Sequence, residues 1–198
     1  MGAVSSRRGQ LLQLRARVDA HELSDEALVA ACATGDRAAR GLLFERHVDA
    51  VHRFVGRMST RDPAAVDDLV QVTFVTAFRA AGRFRRGSVR AWLCGIGANL
   101  SRGHARSEMR RKQVLEAIAA IDVPVARLDP LDRHVLARLP EALATLSHDL
   151  RAAFVLVDLE GERGADAALA LGIPEGSLWR RLYEARQALR AALEGGGS

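Results

Sequence analysis

Residues 165–190 read ADAALALGIPEGSLWRRLYEARQALR, a stretch that predicts two helices joined by a tight turn. The first helix is short and rich in alanine, and the turn contains Gly172 and the apolar Ile173. Ser177 is predicted to cap the second helix. The buried stripe of that helix is predicted to consist of Leu178, Leu182, Ala185 and Leu189. This order of elements is typical of a helix-turn-helix motif.

The other face of the second helix carries polar, cationic and aromatic side chains, namely Trp179, Arg180, Tyr183, Glu184 and Gln187. A helix that enters the major groove of DNA needs such groups near its N-terminus, and Arg180 is the best candidate to reach a base. The carboxylate of Glu184 is compatible with DNA binding only if it accepts a hydrogen bond from a cytosine amino group. For Arg181 and Arg186, nearer the buried stripe, phosphate contact and an internal ion pair fit equally well. The pattern alone leaves DNA binding and ordinary helix packing open.

Four further helical patterns precede this motif. Apolar residues recur at three- and four-residue steps within residues 24–35, 36–58, 62–81 and 88–110. Each stretch begins with a residue that suits a helix start, namely Ser24, Asp36, Asp62 followed by Pro63, and Ser88. Four amphipathic helices around one core predict an N-terminal domain over residues 23–110.

The remaining segments complete an all-α fold of two small helical domains joined by a linker. Residues 1–22 are basic without a strong period and are interpreted as an N-terminal extension. Residues 111–132 contain Pro124 and Pro130, which favour a linker. A second periodic block predicts the helix-turn-helix domain over residues 133–194, followed by a short tail at 195–198. Neither domain shows the alternation of a strand.

Composition excludes several classes of protein. Hydrophobic residues make up 48% of the 198 residues and charged residues 27%, which is typical of a packed globular chain. The sequence lacks an apolar run near the roughly 20 residues of a membrane helix, so we expect a cytoplasmic protein without membrane insertion. Cys32 and Cys94 lie far apart in helical patterns and are interpreted as small core residues. No metal site and no cofactor are predicted.

Positive charge is concentrated in one segment. Between Arg79 and Lys112 there are ten basic residues and one acid, a balance of +9 in a chain of net charge +5, so the remainder is −4. A local basic segment indicates an anionic partner, most simply nucleic acid, although a solvated helix face is the alternative. Phe84 and Trp92 lie within this segment and suit either unstacked bases or core packing.

Two motifs carry a family resemblance. Residues 67–74, DDLVQVTF, followed by 84–93, FRRGSVRAWL, and by 96–100, IGANL, resemble region 2 of bacterial sigma factors of the extracytoplasmic function (ECF) group. The pattern from Leu146 to Leu159, with Glu160 and Gly161 and the helix-turn-helix, resembles region 4 of the same family. The two resemblances cover roughly residues 24–194 in the family's order, and together they are more specific than either one.

The resemblance implies a promoter-specificity subunit of RNA polymerase, without enzymatic activity of its own. Its implied partners are core RNA polymerase, through the β′ clamp helices and the β flap, then promoter DNA and an anti-sigma factor. The implied polymerase contacts are Asp67, Asp68, Gln71 and Thr73. The residues implied for the −10 element are Arg83, Arg85, Arg86, Ser88, Arg90, Asn99 and Arg102. Those implied for the −35 element are Ser177, Trp179, Arg180, Arg181, Tyr183 and Glu184.

The sequence departs from the family pattern at several positions. Val72 stands where the family usually has an acid, so we expect an altered polymerase contact. Residues 164–168 replace a bulkier, more acidic first helix, and Trp179-Arg180 replaces a basic-then-small pair, so −35 preference does not transfer. Two alternatives stay open: an autonomous helix-turn-helix regulator with an N-terminal helical interaction domain, and a protein-binding member that has lost −35 recognition. An enzyme is disfavoured because the six histidines form no ligand motif, and the chain has no phosphate loop or nucleophile elbow.

Overall fold

The computed structural model describes residues 23–59, 63–118 and 135–194. Within these ranges all regular structure is helical, which confirms the predicted all-α class. None of the described helices is long and apolar enough to cross a membrane. The predicted extension at 1–22, most of the predicted linker, the tail at 195–198 and the helix cap predicted at Asp62 lie outside the described residues.

Residues 23–118, here called the first lobe, contain the four predicted helices. They are α1 (Asp25–Ala33), α2 (Arg37–Met58), α3 (Pro63–Ala80) and α4 (Val89–Ile118). The predicted caps Ser24, Asp36 and Ser88 each accept a hydrogen bond from a backbone N–H of the first turn, at 2.8 to 3.2 Å. These bonds satisfy backbone donors that a helix leaves unpaired, so the helix starts are specified locally.

Helix α4 extends beyond the predicted domain boundary at residue 110. It runs for 30 residues to Ile118, eight residues past that boundary. Because the next proline is Pro124, no residue of the helix interrupts the backbone hydrogen bonds. Part of the segment interpreted as a linker is therefore helix.

The core of the first lobe consists of the predicted apolar stripes. Phe54 is completely buried at its centre, with Val51, Leu43 and Leu93 also inaccessible. We expect Phe54→Ala to lower the free energy of unfolding by about 3–5 kcal/mol, because it leaves a cavity in a close-packed core. Urea unfolding followed by circular dichroism measures this loss. Val75→Ala, at a position that is 45% exposed, is the matched control, with an expected loss below about 1 kcal/mol; equal losses would contradict the core described here.

Residues 135–194, the second lobe, contain the helix-turn-helix. Its helices are α5 (Val135–Thr145), α6 (His148–Phe154), α7 (Gly164–Leu171) and α8 (Glu175–Glu194), with a π-helical turn, Val155–Leu159, continuing α6. Gly172 ends α7 in the left-handed conformation, with φ +65°, and the N–H of Ile173 donates to the carbonyl of Ala168 at 3.0 Å. Glycine adopts this conformation at little cost, so the turn follows from the sequence.

The start of α8 differs from the prediction. Ser177 does not cap the helix, because α8 begins two residues earlier at Glu175. The carbonyl of Pro174 accepts from the N–H groups of Ser177 and Leu178, at 2.9 and 3.1 Å, so the first turn is already formed at Ser177. Proline favours this position because its fixed φ suits the beginning of a helix.

The two lobes pack against each other, which the sequence did not predict. Their buried side chains form one continuous apolar cluster. Helix α4 of the first lobe lies directly against α7 of the second at Gly95, where an added Cβ would come within 2.9 Å of the carbonyl carbon of Ala170. A side chain at this position would therefore force the two helices apart.

Candidate nucleic-acid and protein interfaces

The outer face of α8 is open to solvent along the predicted recognition surface. Trp179, Arg180, Tyr183 and Glu184 are exposed, with Tyr183 at 65%, while the predicted stripe of four apolar residues on the opposite face is buried. Arg180 and Glu184 lie one helical turn apart, with 3.7 Å between the Arg180 Nε and a Glu184 carboxylate oxygen. An exposed pair at this distance is weak, so Arg180 can exchange it for a partner in DNA.

Trp179 has a defined orientation at the edge of this face. Its indole N–H donates to the Glu175 carboxylate at 3.2 Å, and its ring lies against Gly164 at the start of α7. A Cβ added at Gly164 would come within 2.5 Å of the ring, so the small residue makes room for the indole. The two departures from the family pattern, at residues 164 and 179, are therefore linked, because the absence of a side chain at Gly164 leaves the space that the Trp179 ring occupies.

Arg181 and Arg186 make internal ion pairs, one of the two roles that the sequence left open. An Nη of Arg181 lies 3.0 Å from a carboxylate oxygen of Asp149. Arg186 donates two hydrogen bonds to Asp158, at 2.9 and 2.7 Å, and these bonds raise the pKa of Arg186. Arg181 is half-buried, so its predicted −35 contact requires it to leave Asp149.

Beside α8 lies a shallow apolar groove of the second lobe with a volume of about 380 Å³. Its lining consists of Leu139, Phe154, Arg186, Leu189, Arg190 and Leu193. The floor is therefore contributed by α5, α6 and α8, with two arginines at the margin. Such a groove suits an apolar protein segment better than nucleic acid, because it offers mostly hydrophobic contact.

Helix α3 presents a mixed polar and apolar face. Asp67, Asp68 and Gln71 are exposed as predicted, and Asp67 lies 3.2 Å from the imidazole Nε2 of His52. An altered polymerase contact was predicted at Val72, but its exposed apolar neighbours were not predicted to be part of this face. Val72 is 47% exposed, and Val75 on α3 and Phe44 on α2 are also exposed. Acids beside exposed apolar groups are typical of a protein-binding surface.

Thr73 is not part of this face. Its side chain is completely buried, and its hydroxyl donates to the carbonyl of Leu69 at 2.7 Å. The prediction that Thr73 contacts the polymerase directly is therefore wrong. The hydroxyl is satisfied inside the helix, and in this conformation a partner cannot reach it.

The loop before α4 carries Arg83, Arg85 and Arg86, all exposed. Arg85 donates to the carbonyl of Gly82 at 2.7 Å, which ties its guanidinium to the loop. Phe84 and Trp92 are half-buried and lie with ring centroids 5.2 Å apart, against the core of the lobe. The two aromatic rings therefore hold the loop on α4, the core-packing interpretation that the sequence left open.

Three predicted −10 residues contact the second lobe. The backbone N–H of Ser88 donates to Asp166 at 3.3 Å. Arg90 is bonded to Glu162 and Arg102 to Asp149. Asn99, on the same helix, is exposed. In this conformation the predicted −10 residues thus form two groups. The exposed group consists of Arg83, Arg85, Arg86 and Asn99. The group covered by the second lobe consists of Ser88, Arg90 and Arg102.

The buried His47, the half-buried His148 and both cysteines lie among core and ion-pair residues of the fold. Burial and the neighbouring Arg102 lower the pKa of His148 to about 4, so its neutral Nδ1 accepts from the Arg102 Nε at 3.5 Å. Burial lowers the pKa of His47, which lies 2.9 Å from Asp25. Burial also raises the pKa of Cys32 and Cys94, both free thiols in the core, as predicted. The part of the chain described by the structure contains no cluster of potential metal ligands.

The comparisons with known proteins agree on one class. Residues 43–111 match the family model of sigma-70 region 2, and residues 136–189 match that of sigma-70 region 4. The ECF RNA polymerase sigma factor SigM of Mycobacterium tuberculosis is 36% identical over 175 residues, covering 87% of this chain and 86% of that protein. The probable RNA polymerase sigma-C factor of Mycobacterium bovis is 34% identical, covering 86% and 94%.

Solved structures show the same similarity. CnrH, in complex with the cytosolic domain of CnrY, matches with a TM-score of 0.63 and 30% identity, covering 86% of this chain and 97% of that one. RpoE of Bartonella quintana, in complex with the anti-sigma factor NepR, matches with a TM-score of 0.56 and 26% identity, covering 76% and 94%. The chain therefore belongs to the sigma-70 family of RNA polymerase sigma factors, and within it to the ECF group.

Family membership confirms the predicted function. The chain is a promoter-specificity subunit that acts with core RNA polymerase on promoter DNA. It is not an enzyme, because sigma factors initiate transcription by binding. The autonomous regulator considered above is thereby disfavoured.

Proposed function

We propose that the two lobes divide the binding work of this sigma factor among three surfaces. The exposed face of α3 binds core polymerase, the basic loop and α4 bind the opened −10 element, and the outer face of α8 reads the −35 element. The single observation that carries this division is the exposure of Trp179, Arg180, Tyr183 and Glu184 on α8, opposite a buried apolar stripe. Exposed polar groups on a helix-turn-helix are what a major groove requires.

The first lobe combines a protein-binding face with a DNA-binding face. Asp67, Asp68 and Gln71 offer polar contacts to the β′ clamp helices, and the exposed Val72 supplies apolar area where relatives usually offer charge. Arg83, Arg85 and Arg86 lie on the loop that leads into α4. Exposed guanidiniums track the phosphates of single-stranded DNA, and Asn99 can hold an unstacked base.

The second lobe combines duplex recognition with a further protein contact. Arg180 is the base-reading residue, and Trp179 and Tyr183 supply apolar and sugar contacts in the groove. Arg181 reaches phosphate after release from Asp149. The apolar groove between α5, α6 and α8 is the surface suited to the β flap, because its lining is mainly hydrophobic. Binding at both lobes makes the attachment to polymerase bivalent.

An anti-sigma factor is a further partner of this chain. The proposal is supported by the two similar structures, which contain the cytosolic domain of CnrY and the anti-sigma factor NepR. The protein acts in the cytoplasm, where polymerase and the chromosome are located.

Reconstitution with core RNA polymerase tests this function. The chain is expected to co-purify with core polymerase, to direct run-off transcription from a cognate promoter, and to bind duplex promoter DNA alone only weakly and with strong salt dependence. A genomic run-off screen with the reconstituted holoenzyme identifies the promoter. Tight sequence-specific duplex binding by the free chain, without association with core polymerase, would contradict the proposal and support an autonomous regulator.

A further inference from the structure

Two contacts hold the indole ring of Trp179 on the outer face of α8. The indole N–H donates to the carboxylate of Glu175, one helical turn earlier, at 3.2 Å. The part of the ring next to this nitrogen packs against Gly164 at the start of α7. A hydrogen bond and a packing contact on one rigid ring restrict its side-chain torsions, so Trp179 is presented to solvent in one orientation.

The hydrogen bond to Glu175 determines what the ring can offer to DNA. An indole has one hydrogen-bond donor and no acceptor. Because the Glu175 carboxylate accepts from this donor, the ring has no hydrogen-bonding group left for a base. The residue is nevertheless 47% exposed, and the exposed ring surface is apolar. Trp179 can therefore distinguish base pairs only through apolar contact.

The major groove offers one apolar group for such a contact. Thymine presents its C5 methyl group there, whereas the other bases are distinguished by hydrogen-bond donors and acceptors. Helix-turn-helix proteins contact base edges with the N-terminal part of the second helix, and Trp179 lies in the second turn of α8. The chemistry of the ring and its position on the helix thus both favour a thymine methyl group as its target.

Gly164 and Glu175 each have a specific effect on this ring. A Cβ added at Gly164 would meet only Trp179, at 2.5 Å from Cζ2 and 3.0 Å from Cη2. These atoms are the far end of a side chain, so a larger residue would displace the ring and leave the backbone of both helices in place. Glu175 is an exposed acid in the first turn of α8, where the helix dipole favours a carboxylate.

We propose that Trp179 determines promoter specificity by recognising a thymine methyl group in the −35 element, and that Glu175 and Gly164 are the positioning residues of its ring. This inference rests on the proposed function, because it names the chemical group that α8 reads near the base pair contacted by Arg180. The basic residue usual in the family at position 179 would offer hydrogen-bond donors instead. The −35 element of this factor therefore contains a T·A pair at a position that such relatives read differently.

Promoter duplexes that lack a single methyl group test the proposal. In the promoter identified by the genomic run-off screen, each thymine of the −35 element, on either strand, is replaced in turn by deoxyuridine. Deoxyuridine keeps the hydrogen-bonding groups of thymine and lacks only the methyl group. We call the affinity of the holoenzyme for the thymine duplex, divided by that for the deoxyuridine duplex, the methyl ratio. At one position the original chain is expected to give a methyl ratio of about four, the value for burial of one methyl group.

Trp179→Ala is expected to lower the methyl ratio at that position to about one, because the apolar partner of the methyl group is removed. Glu175 is tested by two variants that remove the same negative charge. Glu175→Gln keeps an oxygen that can accept from the indole, and Glu175→Ala does not. Loss of the charge affects both duplexes equally, so the methyl ratio is expected to stay near four in Glu175→Gln and to fall below about two in Glu175→Ala.

Gly164→Ala inserts one methyl group against the ring. It is expected to lower the methyl ratio below about two, because the indole no longer lies in its original orientation. Gly41→Ala is the matched control. Gly41 is an exposed glycine within α2, where an added Cβ meets no atom within 4 Å. This control is expected to keep the methyl ratio of the original chain.

The orientation of the ring is also measured without DNA or polymerase. The chain contains two tryptophans, so its proton–nitrogen correlation spectrum has two indole N–H signals, and Trp179→Phe assigns them. The Trp179 indole proton is expected to move to lower chemical shift in Glu175→Ala and to stay near its original position in Glu175→Gln. A general effect of Glu175 on the stability of α8 would not link this signal to the methyl ratio.

Other outcomes overturn the inference. If the −35 element has no thymine on either strand, or no deoxyuridine replacement weakens binding, α8 does not read a methyl group. If the methyl ratio persists in Trp179→Ala, another residue such as Tyr183 reads the methyl group. An unchanged methyl ratio in Glu175→Ala or in Gly164→Ala would show that the residue concerned does not position the ring.

Transcription by the original holoenzyme is measured on the same promoter. Polymerase-dependent transcription with a methyl ratio of one at every position means that this inference fails while the proposed function holds. If the chain neither binds core polymerase nor directs transcription, the proposed function fails and this inference fails with it.

Discussion

A holoenzyme carrying Arg180→Ala is expected to lose most of its promoter-specific transcription while binding core polymerase with unchanged affinity. Arg180 is 75% exposed in its side chain and its internal partner is the exposed Glu184, 3.7 Å away. A bidentate arginine–base contact contributes about 1–3 kcal/mol of discrimination, which corresponds to a loss of about 5- to 150-fold. Run-off transcription and polymerase co-purification measure the two quantities separately.

The control for this variant is Arg37→Ala, which removes an exposed arginine from the start of α2, outside the proposed surfaces. We expect it to leave promoter use within about twofold of the original chain, since a surface arginine without a specific partner among the described residues contributes little. Equal loss of promoter use and polymerase binding in Arg180→Ala would show that α8 does not read DNA as a separate surface.

The double variant Asp67→Ala with Gln71→Ala is expected to weaken binding to core polymerase without affecting duplex DNA binding. Both side chains are exposed on α3, beside the exposed apolar Val72. Truncating two polar groups of an interface is expected to weaken core-polymerase binding by about tenfold or more. Duplex binding by the second lobe should be unchanged, because α8 belongs to the other lobe.

The fold should tolerate this double change. Asp67 loses an exposed contact to His52, and such a pair contributes at most about 1 kcal/mol. Glu26→Ala, an exposed acid on α1, is the control for the loss of negative charge. Competition against the original chain for limiting core polymerase measures the affinity. An unchanged affinity would place the polymerase surface elsewhere on the first lobe.

The helices of this protein could be predicted because their signals are local. Ser24, Asp36 and Ser88 mark starts through hydrogen bonds within the first turn, and Gly172 marks a stop through a left-handed backbone conformation. Apolar spacing then assigned the buried faces, including that of α8. Ser177 was misjudged because its residue type suggested a helix cap that the backbone geometry excludes. Thr73 was misjudged because the family resemblance implied a contact that its burial excludes.

The packing of the lobes could not be predicted, because it depends on pairs distant in sequence. Arg57 and Glu160 are separated by 103 residues, and Arg90 and Glu162 by 72. Nothing local distinguishes these arginines from solvated ones. From sequence alone, Gly95 predicts only a lower helix stability. Its close contact with Ala170 appears only in the folded structure. The apolar part of the proposed polymerase face was predicted only at Val72, since nothing local indicates that an exposed apolar residue such as Val75 has a partner.

The two tryptophans of this protein are intrinsic fluorescence probes, one in each lobe. Trp92 lies half-buried beside Phe84 in the first lobe, and Trp179 lies 47% exposed on the second, oriented by Glu175 and Gly164. Because the chain contains only these two indoles, each lobe has a single tryptophan emitter, and the two lie in surroundings of different polarity. Seating of α8 in duplex DNA can thus be followed as a change in intrinsic fluorescence, in unlabelled protein, with Trp179→Phe assigning the signal.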